Sequence, residues 1–572
     1  MPFDFACPNW SEMIGAGLTP IADLALDEAA AEQAVAIYNN LRLPDVAGHP
    51  RLGEVSAEWP RDIVRAIFGS TDAAGQRQVG EVFCMVPKKN GKTTVAAAVG
   101  LIFMLLNRRP NADMLLVGTT QKISEIAFNQ AKGIIGADPY LQDRFHVVDN
   151  GSTRIINDRT NGARLMIRTF GMDVLTGCKP IFVMLDEVHL LGAISYAADV
   201  LRQIRGGLMP FPESLFFMIT TQSDHAPAGV FKSELSYARG VRDGVIRDGV
   251  RLLPLLFEFT EAVQTGKEQA WLNPKLWHLV TPSLNRPITI ARMIEGMKRA
   301  EHDGHHEVVA WATQHLNVQV GMAIMIDGWS GAKYWQATLQ ADVTLQTIKD
   351  NCDVCTVGVD WGGADDLCSL AVIGRRASDR VWLIWGKSWA RPSVLEQRKS
   401  IAARLTDFAS AGDLHLVQFG EDQARECADI CEELWTAGLL PIEGGIGLDA
   451  AEAGGLPLLV DELAQRGMTE PLVRGISQGY RLGGAAAALA LKLESRQALH
   501  ADQDILAWAV GNAKQELSGS NYRITKQASG SAKIDPLMAI FDAVELMKNN
   551  PQAGNAVQPT PWDLDPEYRM AM

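Results

Sequence analysis

At 572 residues the chain exceeds the roughly 250–300 residues at which a single hydrophobic core stops growing, so two large domains are expected. With 47% apolar and 21% charged residues, the composition excludes a disordered or fibrous protein. The formal charge of −14 excludes a nonspecific basic coat for a polyanion, so any such contact has to be local, through a few Lys and Arg presented inward.

Eight cysteines, at 7, 84, 178, 352, 355, 368, 427 and 431, are too sparse for a disulfide scaffold and point to a reducing compartment. The pairs Cys352/Cys355 and Cys427/Cys431 read as buried thiols, one pair in a strand and the other on one helix face. The longest apolar run, 95–106, is shorter than the ~20 residues of a membrane span and reads as a buried helix. Asp4, with no basic stretch ahead of an apolar core, argues against a signal peptide.

In chain order, residues 1–50 form a helical cap region, with an Ala/Glu-rich helix over 26–43 ending at Pro44. Residues 51–320 form the first large domain. Its short apolar runs at 81–86, 114–120, 164–170, 181–185 and 215–221 alternate with helical patterns, as buried parallel strands do. The pattern weakens over 321–352, a linker. The second domain, 353–548, opens with three closely spaced strands at 355–361, 369–374 and 381–389, which leave no room for crossover helices and so form a meander. A helix at 394–408, a strand at 414–419, a helix at 423–437 and a closing helix at 536–548 follow. The tail, 549–572, is rich in Pro, Asn and Gln and reads as flexible.

The segment Val86-Pro87-Lys88-Lys89-Asn90-Gly91-Lys92-Thr93 fits the phosphate loop G-x-x-x-x-G-K-[ST] except at its first position. Gly91 lets the backbone approach phosphates, Lys92 reaches the β and γ oxygens, and Thr93 offers a hydroxyl to Mg²⁺. Thr94 opens a helix whose N-terminal amides favour an anion. About 90 residues on, an apolar strand runs into Asp186-Glu187, which suits Asp186 to Mg²⁺ and Glu187 to orienting the attacking water. The strand ending at Thr220-Thr221-Gln222 is placed to sense the γ-phosphate; Thr119-Thr120 ends another strand similarly.

The ordered set Trp59, Pro87 to Thr93, Leu185-Asp186-Glu187-Val188-His189 and Ile219-Thr220-Thr221 resembles the large terminase subunit of tailed bacteriophages over roughly residues 10–545. That family carries a phosphate loop lacking the leading glycine and bearing basic residues. The resemblance implies an α/β protein with two parts: an N-terminal RecA/ASCE-like ATPase with a parallel sheet flanked by helices, and a C-terminal RNase H-like nuclease with a mixed sheet. Where the family often has Trp-Gln to contact adenine, this chain has Trp59-Pro60-Arg61, leaving Trp59 to stack on the base or to sit in the core. Arg202 and Arg205 are candidates for a charge-stabilising arginine.

In the second domain, Asp360 ends the first strand and Asp535 starts the last helix, with either Glu421 or Asp422 as the third carboxylate. The resemblance implies two Mg²⁺ or Mn²⁺ held by such a triad, and hard cations require oxygen ligands. Asp366 and Asp542 are outer candidates, and His500 and Lys526 lie in stretches that resemble family positions. The implied function is ATP-driven translocation of double-stranded DNA into a procapsid with cutting of concatemers. The implied partners are a portal protein, for which Pro561-Trp562-Asp563-Leu564 is a candidate docking segment, a small terminase subunit and further copies in a ring. The implied setting is the host cytoplasm, with no membrane. The alternatives are a superfamily 2 helicase, which needs a second RecA-like half, and a non-catalytic prophage assembly component.

Overall fold

The computed structural model describes residues 3–554 except 73, 75, 152, 225, 266–268, 287, 320–327, 363–365, 450–455, 519–520 and 527–532. The chain divides into two compact units, Met1–Val320 and Gly321–Met572.

The first unit is built on eight strands: β1 (Glu81–Met85), β2 (Asp113–Gly118), β3 (Phe145–Asp149), β4 (Arg154–Asp158), β5 (Arg164–Thr169), β6 (Pro180–Asp186), β7 (Leu215–Thr220) and β8 (Leu252–Leu256). They form one sheet of order β3-β4-β5-β2-β6-β7-β1-β8. From β5 to β8 all pairings are parallel, and β3 and β4 add an antiparallel edge. Every residue of β2, β6, β7 and β8 is buried, which is why the sequence shows unbroken apolar runs rather than alternation. Pro254, which would break an inner ladder, lies in the edge strand β8. One strand, β7, separates β1 from β6, the ASCE arrangement. The apolar run of the sequence is the helix Lys92–Leu106, buried along most of its length. Helix Glu28–Asn40, capped by the Asp27 carboxylate on the Ala30 amide, puts Ala34, Val35 and Tyr38 into the core that covers this sheet.

The second unit has a seven-stranded mixed sheet. Strands β9 (Cys352–Trp361), β10 (Cys368–Arg376) and β11 (Trp382–Ala390) form the antiparallel meander. Strand β13 (Ile446–Asp449) lies parallel to β9, and β14 (Val473–Ile476) parallel to β13. Strands β12 (Leu414–Leu416) and β15 (Ala498–His500) both run parallel to β11 along its outer edge. The sheet order is β12-β11-β10-β9-β13-β14; its centre, the antiparallel meander β11-β10-β9 continued by the parallel strands β13 and β14, is an RNase H-like topology and not a second RecA-like half. A separate hairpin pairs β16 (Ala513–Ser518) with β17 (Asn521–Lys526).

Two elements depart from expectation. The helix expected over 394–408 is broken at Arg398 into Ser393–Gln397 and Lys399–Ala411. The strand expected over 414–419 spans only three residues, and Phe419 already caps the helix Gly420–Thr436.

Helix Asp535–Met547 lies directly on β9. A Cβ at Gly358 would collide with the Ala539 carbonyl and the Ala543 amide, so only glycine permits this approach, and Thr356 Oγ1 donates to the Ala543 carbonyl at 2.9 Å. The consequence is positional: the N-terminus of the last helix arrives at the end of β9 where Asp360 stands. All eight cysteines are free, and among the described residues no helix is long and apolar enough to cross a membrane.

Candidate nucleotide and carboxylate sites

The phosphate loop leaves the C-terminal end of β1. Val86, in place of the usual glycine, continues the strand: its amide donates to the Thr220 carbonyl at 3.0 Å and its side chain is buried in the core. The loop instead turns at Lys89 (φ 68°) and Gly91 (φ 89°), both left-handed, so the conformational freedom needed sits later in the loop. Asn90, buried, pins it from within. Its Nδ2 donates to the Pro87 carbonyl at 3.1 Å, while its Oδ1 and its own carbonyl accept from the Ser283 amide and hydroxyl at 2.9 and 3.0 Å. Gly91 caps the helix, which begins at Lys92, with Thr93 in its first turn.

Across the sheet, β6 delivers Asp186 and Glu187. Lys92 Nζ donates to both Glu187 oxygens at 3.2 and 3.1 Å. Burial alone would raise the Glu187 carboxyl, but the His189 hydrogen bond and the Lys92 ammonium outweigh it and pull it down to about 2. Burial, reinforced by the Glu187 charge, pushes Asp186 up to about 6. Glu187 holds a left-handed backbone (φ 55°, ψ 50°) at the head of a short 3-10 turn, a conformation costing about 1–3 kcal/mol that surrounding contacts must hold. The set fits Mg²⁺-nucleotide: helix amides and a lysine for phosphates, and a buried oxygen ligand for the cation.

Several expected nucleotide contacts are placed elsewhere. Trp59 is 1% exposed, packs edge-on against Phe257, and spends its indole N–H on Ser283 Oγ at 3.1 Å, so it offers no face to a base. It supports the loop from behind, through the serine that binds Asn90. The Thr94 hydroxyl pairs with Gln130 Nε2 at 3.2 Å. Thr220 is fully buried and bound to His189 rather than open to phosphate. Arg205 is clamped by Glu81 and Glu234 at 2.9 and 2.8 Å; Glu81 is the first residue of β1, at the end opposite the loop. Arg202 pairs with Asp199 on its own exposed helix face.

In the second unit Asp360 lies at the end of β9. Burial, and then the charges of Asp535, Asp542, Asp449 and Asp366, push its carboxyl well above the usual range. Asp449 ends β13 one residue beyond the pair Leu448–Val359, level with Asp360 on the neighbouring parallel strand. Asp542, about two turns along the last helix from Asp535, is fully buried and likewise raised by burial; its Oδ1 accepts from Gln478 Nε2 at 2.9 Å, and its Oδ2 has no hydrogen-bond partner. Lys533, 3% exposed, forms an ion pair with Asp366. The donor set is all oxygen, as hard divalent cations require. As the side chains stand, however, no group of three or more among the described residues is close enough to hold an ion. Like charges in a shared pocket repel, and Lys533 draws Asp366 to itself.

The expected third carboxylate is corrected by the topology. Glu421 and Asp422 lie in the first turn of helix Gly420–Thr436, beyond β12 on the far edge of the sheet from β13. Glu421 is exposed, Asp422 pairs with Arg425 at 2.5 Å, and neither is among the largest charge effects on Asp360. Acidic residues in a helix's first turn are favoured there by the dipole, a sufficient reason for both. His500 is structural: its ring stacks on Trp335 at 4.0 Å and its two nitrogens face the Ala501 and Trp335 carbonyls at 2.8 and 2.7 Å. The Lys526 side chain and the tail motif at 561–564 lie outside the described residues.

Residues 58–240 match the family model described as the terminase large subunit, ATPase domain. No curated protein matches the chain. Similar solved structures include the large terminase of bacteriophage HK97, 17% identical, covering 90% of this chain and 99% of that one with a TM-score of 0.43. A large terminase from a thermophilic bacteriophage, in complex with ATP-gamma-S, is 12% identical, covering 82% and 94% with a TM-score of 0.28. The large terminase nuclease of thermophilic phage G20c with bound magnesium is 12% identical, covering 36% and 98% with a TM-score of 0.23. These superpositions are loose, and the family match over 58–240 takes in the phosphate loop, the Asp186-Glu187 pair and β7 together. Over those residues, the chain carries the ATPase domain of the terminase large-subunit family.

Proposed function

We propose that the chain is a DNA-packaging large terminase that couples ATP hydrolysis in a motor domain, 51–320, to translocation of double-stranded DNA into a procapsid, and cuts concatemers with a nuclease domain, 353–548. The observation that carries the motor half is the meeting of Lys92 with Glu187 beside buried Asp186, at the ends of strands separated by one other. Lys92 is already desolvated, so a γ-phosphate offers it a stronger partner than the carboxylate. Transfer of Lys92 to the phosphate frees Glu187 to accept a hydrogen bond from the attacking water, and removes one of the two groups, beside His189, that pull its carboxyl down. Thr93 and Asp186 would hold the Mg²⁺ that accompanies the nucleotide.

The nuclease half is supported by the convergence of Asp360, Asp449 and Asp535 at one end of the second sheet, with Asp366 and Asp542 adjoining. Asp360, Asp449 and Asp535 would hold two Mg²⁺ or Mn²⁺, which supply charge to activate water and to stabilise the leaving oxygen. Lys533, buried and paired with Asp366, neutralises part of the acidic cluster. The family resemblance adds a portal protein, a small terminase subunit, a ring of copies and the host cytoplasm to this reading.

The two halves separate cleanly in experiment. Lys92→Ala abolishes ATP turnover, a loss on the order of 100-fold or more, while plasmid cutting stays measurable. Asp360→Ala abolishes Mn²⁺-dependent cutting and keeps the ATPase. Retained hydrolysis in the first variant removes the motor assignment; unchanged cutting in the second removes the metal site.

A further inference from the structure

We infer that His189 is a positioning residue for ATP hydrolysis, tying the Glu187 carboxylate to Thr220 at the end of β7 and fixing its direction. This rests on the reading of Glu187 as the group that orients the attacking water. His189 Nδ1 stands 3.3 Å from Glu187 Oε2 and 3.1 Å from Thr220 Oγ1, with Thr221 Oγ1 at 3.5 Å.

The hydrogen bonds fix which atom donates. The Thr220 hydroxyl donates to the Thr221 carbonyl at 2.9 Å, so its oxygen accepts both from the His189 amide at 3.0 Å and from the ring. An ionised carboxylate only accepts. Glu187 and Thr220 therefore both require Nδ1 to carry a proton, which it shares between them. The ring cannot drift away from this position, since it is 13% exposed and meets Phe231 edge-on at 6.4 Å.

A need for such a tether follows from the backbone. Glu187 is the first residue past β6 and is left-handed, so no strand ladder aims its side chain. Two groups hold the carboxylate: Lys92 and His189. Lys92 has to leave for phosphate when nucleotide binds, and His189 is the hold that persists. Its anchor strand, β7, lies between the strand bearing the phosphate loop and the strand bearing Asp186. The tether thereby keeps the carboxylate in register with both.

Steady-state ATPase of the full chain tests this. His189→Ala lowers kcat at least ~10-fold with the KM for ATP changed less than about 3-fold, because a misdirected base spoils the reacting geometry and not the binding of substrate. His189→Asn, whose amide N–H falls where Nδ1–H stands, brings kcat back to within about 3-fold of wild type. Glu187→Gln is run beside them. Turnover persisting in Glu187→Gln overturns the reading of the carboxylate itself. With Glu187→Gln inactive, a wild-type kcat in His189→Ala, a loss confined to KM, or an Asn variant as slow as the Ala variant overturns the tether. Should His189→Ala fail to fold, Thr220→Val removes the anchor instead, and the same drop in kcat at constant KM is expected; an unchanged kcat there also overturns it.

Discussion

The two candidate sites solve the burial of charge in opposite ways. At the end of β6, Glu187 is matched by Lys92 and His189, its carboxyl falls to about 2, and the side chains stand in contact with one another. At the end of β9, Asp360 is surrounded by carboxylates, is driven well above its usual range, and no tight set of three ligands forms among the described residues. A site that carries its own counterion is held in place by attraction, at the cost of needing a competitor to open it. A site of like charges is held only by its scaffold, and its assembly waits on a cation.

The largest effect expected from that contrast concerns which carboxylates belong to the second site. Asp449→Ala should lower Mn²⁺-dependent DNA cutting by on the order of 100-fold or more, because it removes a ligand level with Asp360. The double variant Glu421→Gln, Asp422→Asn should stay within about 2-fold of wild type, since those side chains face solvent and Arg425 across the sheet's other edge. Plasmid cleavage assays decide it, and the reverse ranking would return the third ligand to the helix.

A second effect concerns stability. In chelator, at neutral pH, Asp360→Asn should raise the melting temperature, by roughly 2–4 °C for each kcal/mol of relieved repulsion in a domain of this size. Replacement of Lys92 by Met should lower it, because Glu187 is left half-buried without its main cation. The same kind of change, removal of one charge from a functional site, thus carries opposite signs at the two sites. Scanning calorimetry showing the same sign for both would break the comparison.

The sequence made the first site plain and hid part of the second for a definite reason. Strands buried on both faces, such as Pro180–Asp186, leave unbroken apolar runs, and the acidic pair at the end of one stands out. Asp449 ends a strand of only four residues, Ile446–Asp449, set among glycines, which is too short to leave an apolar run in the sequence. The run at 414–419 is more apolar, yet pairs only at the edge of the sheet. The usable signal was grammatical: Ile446 and Leu448 buried ahead of a carboxylate repeat the pattern of Val357 and Val359 ahead of Asp360. Trp59 misled for another reason. Its position matched a base-contacting residue of the resembled family, whereas its burial against Phe257 and Ser283 is set by segments some 200 residues away in the chain, at 257 and 283, which no local pattern reveals.

The smallest effect is a pair of opposed pH slopes. His315, on the helix that offers the Gln314 carbonyl to the Lys88 amide, is lowered to about 4, first by burial and then by the charges of Lys88 and Lys89. Its Nδ1 is buried with no hydrogen-bond partner, and its ring lies against Trp311 at 5.1 Å. The unfolded imidazole takes up a proton near pH 6.5, while the folded one resists until about pH 4. Its contribution to stability is therefore complete above 6.5 and is lost as the pH falls towards 4, by on the order of 1 kcal/mol at pH 5.5. His315→Gln should flatten that fall in denaturation curves taken from about pH 7 to 5. Asp360 works the other way: its folded carboxyl is raised, so its contribution is present below the unfolded value of 3.8 and is lost as the pH rises through the folded one. The stability gap between Asp360→Asn and wild type should accordingly widen on the alkaline side, where that between His315→Gln and wild type closes. Parallel slopes for the two variants would mean that the charge around one of these sites has been misread, and the variant whose slope is inverted identifies which.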